Sequence, residues 1–225
     1  ASEDNNTITF DTLEEGTYDN CTISVTDFIN SNTSDNLSVS SFTIDTTAPA
    51  LDNVTIASSN SVSTLAKTSD RITLSITSVG AIQAPSVKIA GQTATVGSSS
   101  DNITWSAAYT MKDNDTEGSV SLNIEFKDLA GNPGSDIDNT TNGSAVLFDK
   151  TPPELGGVTE FTTPSADNET IYTFNSDEAG TINYGGGCSS SDNSTPGGDK
   201  EITFDALVDG TYDNCTISVT DNASN

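Results

Sequence analysis

Apolar residues alternate with polar ones along the middle of the chain. The stretch RITLSITS (71–78) places Ile72, Leu74 and Ile76 at every second position. Because successive side chains of a β-strand point to opposite faces, this spacing predicts a strand with one buried face. The stretches NITWSAAYTM and GSVSLNIEF alternate in the same way, and their predicted inward residues are Ile103, Trp105, Ala107, Tyr109, Met111, Val120, Leu122, Ile124 and Phe126.

Shorter segments of the same kind continue on either side of these strands. NVTIA, SVKIA and AVLF bring the middle of the chain to about seven predicted strands. Gly, Asn, Asp and Ser separate them, and no segment with a helical period competes. The pattern therefore predicts an all-β fold of half-buried antiparallel strands.

Two internal repeats divide the chain. ITFDTLEEGTYDNCTISVTD (8–27) and ITFDALVDGTYDNCTISVTD (202–221) are identical at 17 of 20 positions, at an offset of 194 residues. FTIDTTAPAL (42–51) corresponds more weakly to VLFDKTPPEL (146–155), at an offset of 104 residues. These offsets predict units of about 104 and 90 residues. The expected domains are 1–45, the back part of one domain; 46–149, a complete domain; and 150–225, most of a third domain without its final strand.

The two boundaries between these domains have related sequences. DTTAP (45–49) and DKTPP (149–153) each follow a predicted strand and contain a proline that stiffens the connection. Together with DTEGSVSLNIEFKDLAGN (115–132) and the D-x-x-x-N variants DFINSN and DNASN, they resemble the bacterial immunoglobulin-like (Big-type) tandem repeats of large cell-surface adhesins and extracellular fibres. The resemblance covers essentially the whole chain. It implies tandem immunoglobulin-like antiparallel β-sandwiches, joined by short Thr-Pro linkers, that project a binding tip or build a fibre.

The charge of the chain excludes several classes of function. There are 33 acidic residues, seven basic residues and no histidine, which gives a formal net charge of −26. Such a charge repels phosphate groups, so we expect no nucleic-acid binding and no direct contact with a membrane. The expected partners are neighbouring repeats, copies of the chain itself, or a cell-surface or sugar receptor.

The sequence gives no support for catalysis, and we expect no enzyme. Ser-His-Asp and Cys-His arrangements require the histidine that the chain lacks. Close carboxylate pairs would arise by chance among 33 acidic residues, so proximity alone would not indicate a glycosidase. Trp105 and Tyr109 would suit a sugar platform if they were exposed, but their alternation with Ile103 and Met111 favours a core position.

The three cysteines predict one disulfide bond. Cys188 and Cys215 lie 27 residues apart in the third predicted domain. Cys21 is the repeat equivalent of Cys215, so its expected partner lies outside the chain. Cys215 alternates with Ile217 and Val219, which indicates burial. The alternatives are a Cys188–Cys215 disulfide, typical of an oxidising external setting, or a buried reduced pair.

Many asparagines stand in glycosylation sequons. Thirteen of the 21 asparagines are followed by x-Ser or x-Thr. Two interpretations stay open: an N-glycosylated exposed surface, or a composition rich in Asn, Ser and Thr in which one sequon is duplicated. The candidate positions are Asn20, Asn53, Asn102, Asn114, Asn168, Asn193 and Asn214.

Aspartates at the two predicted domain boundaries are candidates for calcium. By resemblance to adhesin repeats, which often hold calcium at domain junctions, Asp45 and Asp149 would contribute ligands there. The aspartates of the D-x-x-x-N sequences are interpreted as turn caps rather than ligands: Asp27, Asp128 and Asp221.

A second set of acidic residues lies within KDNDTEG (112–118). Asp113, Asp115 and Glu117 alternate like part of a calcium-binding loop, whose ligands would be carboxylate and carbonyl oxygens. However, the segment is too short for an EF-hand, and Gly118 equally suits an ordinary solvated turn. Both interpretations stay open, with the turn favoured.

The near-identical copies favour a structural role over a ligand-binding role. A spacer is copied freely, whereas a binding tip occurs once, so we expect a structural repeat of an extracellular or cell-surface stalk or fibre. One alternative is a sugar-binding adhesin module, which would need an exposed aromatic cluster or a deep pocket. Another is a small fibre subunit that polymerises by strand exchange. Exchange of the whole 1–45 region would leave one copy of the duplicated strands unused, so a continuous repeating chain is preferred.

Overall fold

The computed structural model describes residues 7–225, and the chain is all-β over that range. These residues contain no helix, and so none that is long and apolar enough to cross a membrane. Almost all strand pairs are antiparallel, as the alternating pattern predicts. Residues 7–45, 46–149 and 150–225 are called segments 1, 2 and 3.

Segment 1 contains two small two-stranded sheets. Its strands are β1 (Gly16–Tyr18), β2 (Thr22–Ile23), β3 (Leu37–Ser38) and β4 (Phe42–Ile44). β1 pairs with β4 and β2 pairs with β3, both antiparallel. No residue between 7 and 45 is buried, because no further strand layer among the described residues covers these sheets. Two-stranded sheets of this kind are only marginally stable in water.

Segment 2 contains three sheets. Its strands are β5 (Leu51–Ser58), β6 (Leu65–Ala66), β7 (Arg71–Ser78), β8 (Ser86–Ile89), β9 (Gln92–Thr93), β10 (Thr95–Val96), β11 (Thr104–Thr110), β12 (Gly118–Ser119), β13 (Leu122–Glu125) and β14 (Leu147–Phe148). The largest sheet has the order β10-β11-β7-β5, and the others are β13-β8-β9 and β12-β14-β6. β14 pairs parallel with β6 and antiparallel with β12.

Inward side chains from all three sheets of segment 2 form one hydrophobic core. Ile72, Leu74 and Ile76 of β7 have no exposed surface, which confirms the predicted buried face. The other predicted inward residues that are buried are Trp105, Ala107, Met111, Leu122, Ile124 and Phe126, whereas Ile103, Tyr109 and Val120 are half-buried. Burial of apolar area on this scale is the dominant stabilising contribution to a β fold.

Segment 3 contains two three-stranded sheets and a second core. Its strands are β15 (Leu155–Gly157), β16 (Ile171–Ser176), β17 (Gly180–Gly185), β18 (Ser194–Thr195), β19 (Gly198–Thr203) and β20 (Thr216–Asp221). The sheet orders are β15-β16-β19 and β18-β17-β20. The core residues are Phe174, Ile182, Cys188, Ile202, Phe204 and Val219. The Cys188–Cys215 disulfide is formed, with 5.4 Å between the Cα atoms, as the sequence predicts.

Candidate functional site

A turn with the sequence D-x-x-x-N joins segment 2 to the end of segment 1. The carboxylate of Asp128 accepts hydrogen bonds from the backbone N–H groups of Gly131 (2.7 Å) and Asn132 (2.8 Å). The side-chain amide of Asn132 donates to the Asp128 carboxylate at 2.8 Å and to the backbone carbonyl of Asp45 at 2.9 Å. The aspartate therefore orders its own turn, and the ordered turn aims the asparagine at the preceding segment.

The equivalent turn joins segment 3 to the end of segment 2. Asn225 donates from its backbone N–H and its amide to the Asp221 carboxylate, at 2.9 and 3.0 Å. The same amide donates to the backbone carbonyl of Asp149 at 3.0 Å. Asp149 stands 104 residues after Asp45, so the two junctions repeat one contact with equivalent residues.

A second contact is also repeated at the two junctions. Glu15 accepts hydrogen bonds from the hydroxyls of Thr47 (2.8 Å) and Thr46 (3.0 Å). Glu117 accepts from the hydroxyl of Thr151 (2.7 Å) and from the backbone N–H of Lys150 (2.8 Å). These hydrogen bonds, first of all those from Thr47 and Thr151, lower the pKa of both glutamates. Each linker is thus tied to the segment that precedes it.

Three carboxylates converge at the junction between segments 2 and 3. Each of them contributes one carboxylate oxygen that lies within 4.8 Å of an oxygen of the other two, and the residues are Asp149, Glu178 and Asp221. Asp149 directly follows β14, and Glu178 lies in the turn before β17. Asp221 is brought beside that turn because β20 pairs with β17 in a register that sets it opposite Gly180. Asp221 is buried and the other two are half-buried.

This three-carboxylate cluster is electrostatically strained. Partial burial raises the pKa of Asp149, and the neighbouring charges of Asp221 and Glu117 raise it further. Burial and the charges of Asp149 and Asp221 also raise the pKa of Glu178. Carboxylates that repel one another in a half-buried position are stabilised either by protons or by a cation. Carboxylate and carbonyl oxygens are the ligands that calcium prefers.

Among residues 7–225, no third carboxylate joins Asp45 and Asp128 at the junction between segments 1 and 2. In β7 and its continuation, the hydroxyl of Ser78 donates to the carbonyl of Gly80, and in segment 3 the hydroxyl of Ser176 donates to the carbonyl of Glu178. This shared contact makes Gly80 the equivalent of Glu178. The first junction therefore holds two aspartates, Asp45 and Asp128, where the second holds three acidic residues.

The acidic residues of KDNDTEG make other contacts. The ammonium group of Lys150 donates to the backbone carbonyls of Asp113 (2.7 Å) and Asp115 (2.9 Å). The buried carboxylate of Asp115 accepts from the hydroxyl of Tyr109 at 3.1 Å and from the backbone N–H of Lys112 at 2.8 Å. The Lys150 ammonium group thus occupies the position in which a metal ion would contact these carbonyls. The segment itself adopts a turn.

The remaining candidate positions lie apart from the junctions. Cys21 forms no disulfide within residues 7–225. Asn53 is half-buried, and its amide oxygen accepts a hydrogen bond from Thr141. The other six candidate sequon asparagines are exposed: Asn20, Asn102, Asn114, Asn168, Asn193 and Asn214.

The aromatic residues of segment 2 form no exposed platform. Trp105 is only 7% exposed and belongs to the core. Tyr109 is half-buried and lines a shallow polar depression of about 460 Å³ together with Arg71, Thr93 and Lys112. The Lys112 ammonium lies 5.4 Å from the centre of the Tyr109 ring, where a cation–π contact already covers part of its face.

Of the three residues of the carboxylate cluster, only Asp149 is predicted from the sequence as a cation ligand. Glu178 and Asp221 lie 29 and 72 residues further along the chain. The repeated D-x-x-x-N sequence identified Asp221 as a turn residue, and the structure places it both in the turn and in the cluster. Comparison of the chain with models of known protein families gives no match, and comparison with curated proteins gives no match either.

Proposed function

We propose that this chain is part of a tandem array of immunoglobulin-like β-sandwiches in an extracellular or cell-surface protein, and that it acts as a structural repeat of a stalk or fibre. The repeated junction supports this proposal most strongly. At Asp45 and again at Asp149, an asparagine amide from one segment donates to the last aspartate carbonyl of the segment before it. A contact that is copied with each unit gives successive units the same relative orientation, which is what a spacer requires.

The immunoglobulin-like part of the proposal is supported by segment 2. Its three sheets, antiparallel except for the β14–β6 pair, contribute inward side chains to one shared core, and its 104-residue length suits an immunoglobulin-like sandwich. Short linkers with one or two prolines, at 46–50 and 150–154, then connect this unit to its neighbours.

An external setting is supported by the disulfide and the surface. Disulfide bonds persist in oxidising compartments, and Cys188–Cys215 is such a bond. Six candidate sequon asparagines are exposed, so a glycosylating host could modify them. A net charge of −26 keeps such a surface soluble and favours cations, neutral sugars or protein surfaces as partners.

Calcium belongs to the proposal as a ligand of the three-carboxylate cluster. Its binding would relieve the repulsion among Asp149, Glu178 and Asp221 and would stiffen the junction between segments 2 and 3. A sugar-binding module has less support than a spacer, because Trp105 is buried and the depression at Tyr109 is shallow.

The proposal predicts that the junction between segments 2 and 3 is rigid. Spin labels at Ser121→Cys and Thr203→Cys, both at exposed positions, would report the distance between the segments in a chain that carries Cys21→Ser. We expect a single narrow distance distribution by electron double resonance. Asn225→Ala should broaden it, because the amide that bridges to Asp149 is lost.

The matched control is Asn222→Ala, which removes an exposed amide from the same turn. It should leave the distance distribution unchanged. A broad distribution before any junction residue is substituted would contradict a stalk segment, since units that pivot freely do not transmit a fixed orientation.

A further inference from the structure

Segment 3 has an open hydrophobic groove beside its core. The groove has a volume of about 350 Å³, and its lining includes Tyr172, Phe204 and Ile217. Phe161 also lines it, remains 49% exposed, and stacks on Tyr172 with 5.1 Å between the ring centres. Aromatic surface left open next to a packed core indicates a place where a further element can bind.

In segment 1 the repeat-equivalent surface holds a β-strand. Phe42 of β4 stacks on Tyr18 at 5.3 Å and on Phe10 at 5.9 Å between ring centres. β4 pairs with β1 in a register that sets Tyr18 opposite Phe42 and Gly16 opposite Ile44. The offset of 194 residues makes the equivalents of this surface Phe204, Gly210 and Tyr212, within the repeat that is identical at 17 of 20 positions.

In segment 3 the equivalent edge has no partner strand. No strand among residues 7–225 pairs with residues 210–212. One local contact is the same as in segment 1: the hydroxyl of Tyr212 donates to the carbonyl of Val208 (2.9 Å), as that of Tyr18 donates to the carbonyl of Glu14 (3.0 Å). The tyrosine is therefore already placed as in segment 1, whereas the backbone at Gly210 lacks the positive φ of Gly16 (151°) and would adjust when a strand docks.

Segment 2 shows how this strand is buried when a core lies beneath it. There β14 pairs with β12, with Gly118 opposite Phe148, in the same register as Gly16 and Ile44. Val146 and Phe148, the equivalents of Phe42 and Ile44, are each only 1% exposed. Phe42 and Ile44 themselves stay half-buried, since segment 1 has no core to cover them.

We infer that β4 of one copy of this chain docks onto segment 3 of a second copy. Phe42 would pack against Phe204 and Tyr212, and Ile44 would lie opposite Gly210, with Phe161 displaced from the groove. The acceptor is thus a peptide-binding edge of the β-augmentation kind, and its ligand is the segment around Phe42–Ile44.

Two features of the donor strand favour this exchange. β4 leaves behind a three-residue ladder in a two-stranded sheet without buried residues, and it regains an equivalent ladder over a core. It also leads directly into Asp45, whose carbonyl is held by Asn132 of segment 2. Docking would therefore continue the array from segment 3 of one copy into segment 2 of the next, with the junction that each chain already contains.

Such a contact joins two different surfaces and need not close on itself, so it generates open chains. The inference rests on the proposed function, because it extends the same array from within one chain to successive copies. Only β4 takes part in the docking. The residues before it in each donor copy, including the duplicated stretch 8–27, would make no contact with the acceptor.

Sedimentation equilibrium of the whole chain tests the inference. The buffer should contain at least about 0.15 M salt so that the net charge of each copy is screened. We expect oligomers whose mean mass rises with concentration above 23.3 kDa. Phe42→Asp should keep the chain at the monomer mass. Phe28→Asp places the same change at a fully exposed phenylalanine of segment 1 and should assemble like the unsubstituted chain.

A peptide experiment isolates the acceptor. The Phe42→Asp chain keeps its groove intact, so a fluorescent peptide with the sequence of residues 39–46 should bind it, with a rise in anisotropy. The same peptide with aspartate in place of the phenylalanine should not bind. An unsubstituted chain that stays monomeric throughout, or a Phe42→Asp chain that assembles as well as the unsubstituted one, would overturn the inference.

Binding of the peptide to the Phe42→Asp chain, combined with an unsubstituted chain that stays monomeric, would also overturn it, because the groove would then take its strand from another source than a second copy. None of these outcomes bears on the stalk function itself. That function is tested within a single chain by the distance distribution across the junction between segments 2 and 3.

Discussion

At the scale of single residues, the acidic side chains whose pKa is shifted fall into two classes with opposite pH behaviour. Asp128 is partly desolvated, which raises its pKa, but the hydrogen bonds from Asn132 and Gly131 outweigh this and leave the pKa below its usual value. Such groups stabilise the fold above their ordinary pKa, and this stability is lost as the pH falls. The raised pKa values of Asp149 and Glu178 act in the opposite direction.

The sign of the second effect leads to a prediction for Glu178→Gln. A carboxyl whose pKa is raised by folding binds its proton more tightly in the folded state. The stability that these two carboxyls contribute is therefore greatest below their ordinary pKa values of 3.8 and 4.5, and this contribution declines as the pH rises through the raised pKa values. Without added cations, Glu178→Gln should flatten this decline and make segment 3 more stable at neutral pH.

Urea unfolding followed through the NMR signals of β17 and β20 at a series of pH values measures this effect. Glu201→Gln, an exposed change on β19 away from the cluster, should leave the pH profile as it is. If Glu178→Gln and Glu201→Gln gave the same profile, the repulsion among the three carboxylates would have no energetic consequence.

At the scale of strands, local patterns were sufficient to predict an all-β chain with mostly antiparallel strands. The alternation of Ile72, Leu74 and Ile76 is a property of β7 alone, and the structure confirms it. The repeat, which makes Cys21 the equivalent of Cys215 and leaves Cys188 as the partner in the same domain, predicted the Cys188–Cys215 bond. The position of Glu178 beside Asp221 depends on the register between β17 and β20, which is set by packing across the sheet. No local pattern records that register, so only Asp149 of the three carboxylates was predicted from the sequence as a cation ligand.

The disulfide leads to a prediction about one element of segment 3. It ties the loop after β17 to the residue before β20 across 27 positions, and so restricts the unfolded chain. Replacing both cysteines by alanine should lower the free energy of unfolding of segment 3 by about 2–4 kcal/mol. Segment 2, which has its own core and no cysteine, should keep its stability.

Thermal unfolding by calorimetry separates the two transitions, and Cys21→Ala serves as the matched control. Cys21 has no disulfide partner among the described residues, so its loss should change neither transition. An equal loss of stability in segments 2 and 3 would mean that they unfold as one unit, contrary to the separate cores.

At the scale of the whole molecule, the two junctions of the chain can be compared with each other to test the calcium proposal. The two junctions share the bridging asparagine and the aspartate carbonyl, but the carboxylate of Glu178 in the second has no counterpart at Gly80 in the first. A Cβ atom added at Gly80 would meet no other atom within 4 Å, and its backbone is not in the left-handed region. The first junction can therefore accept the missing carboxylate.

Gly80→Glu should give the chain a second calcium site. By titration calorimetry we expect one calcium ion per unsubstituted chain, with a dissociation constant of about 10⁻⁴–10⁻³ M because the site offers only three carboxylates. Glu178→Gln should abolish that binding, and Gly80→Glu should raise the stoichiometry to two. Gly80→Gln has nearly the same size without the charge and should leave it at one. A stoichiometry that does not follow the number of carboxylates at each junction would remove calcium from the proposed function, while the repeated asparagine contacts would still support a spacer.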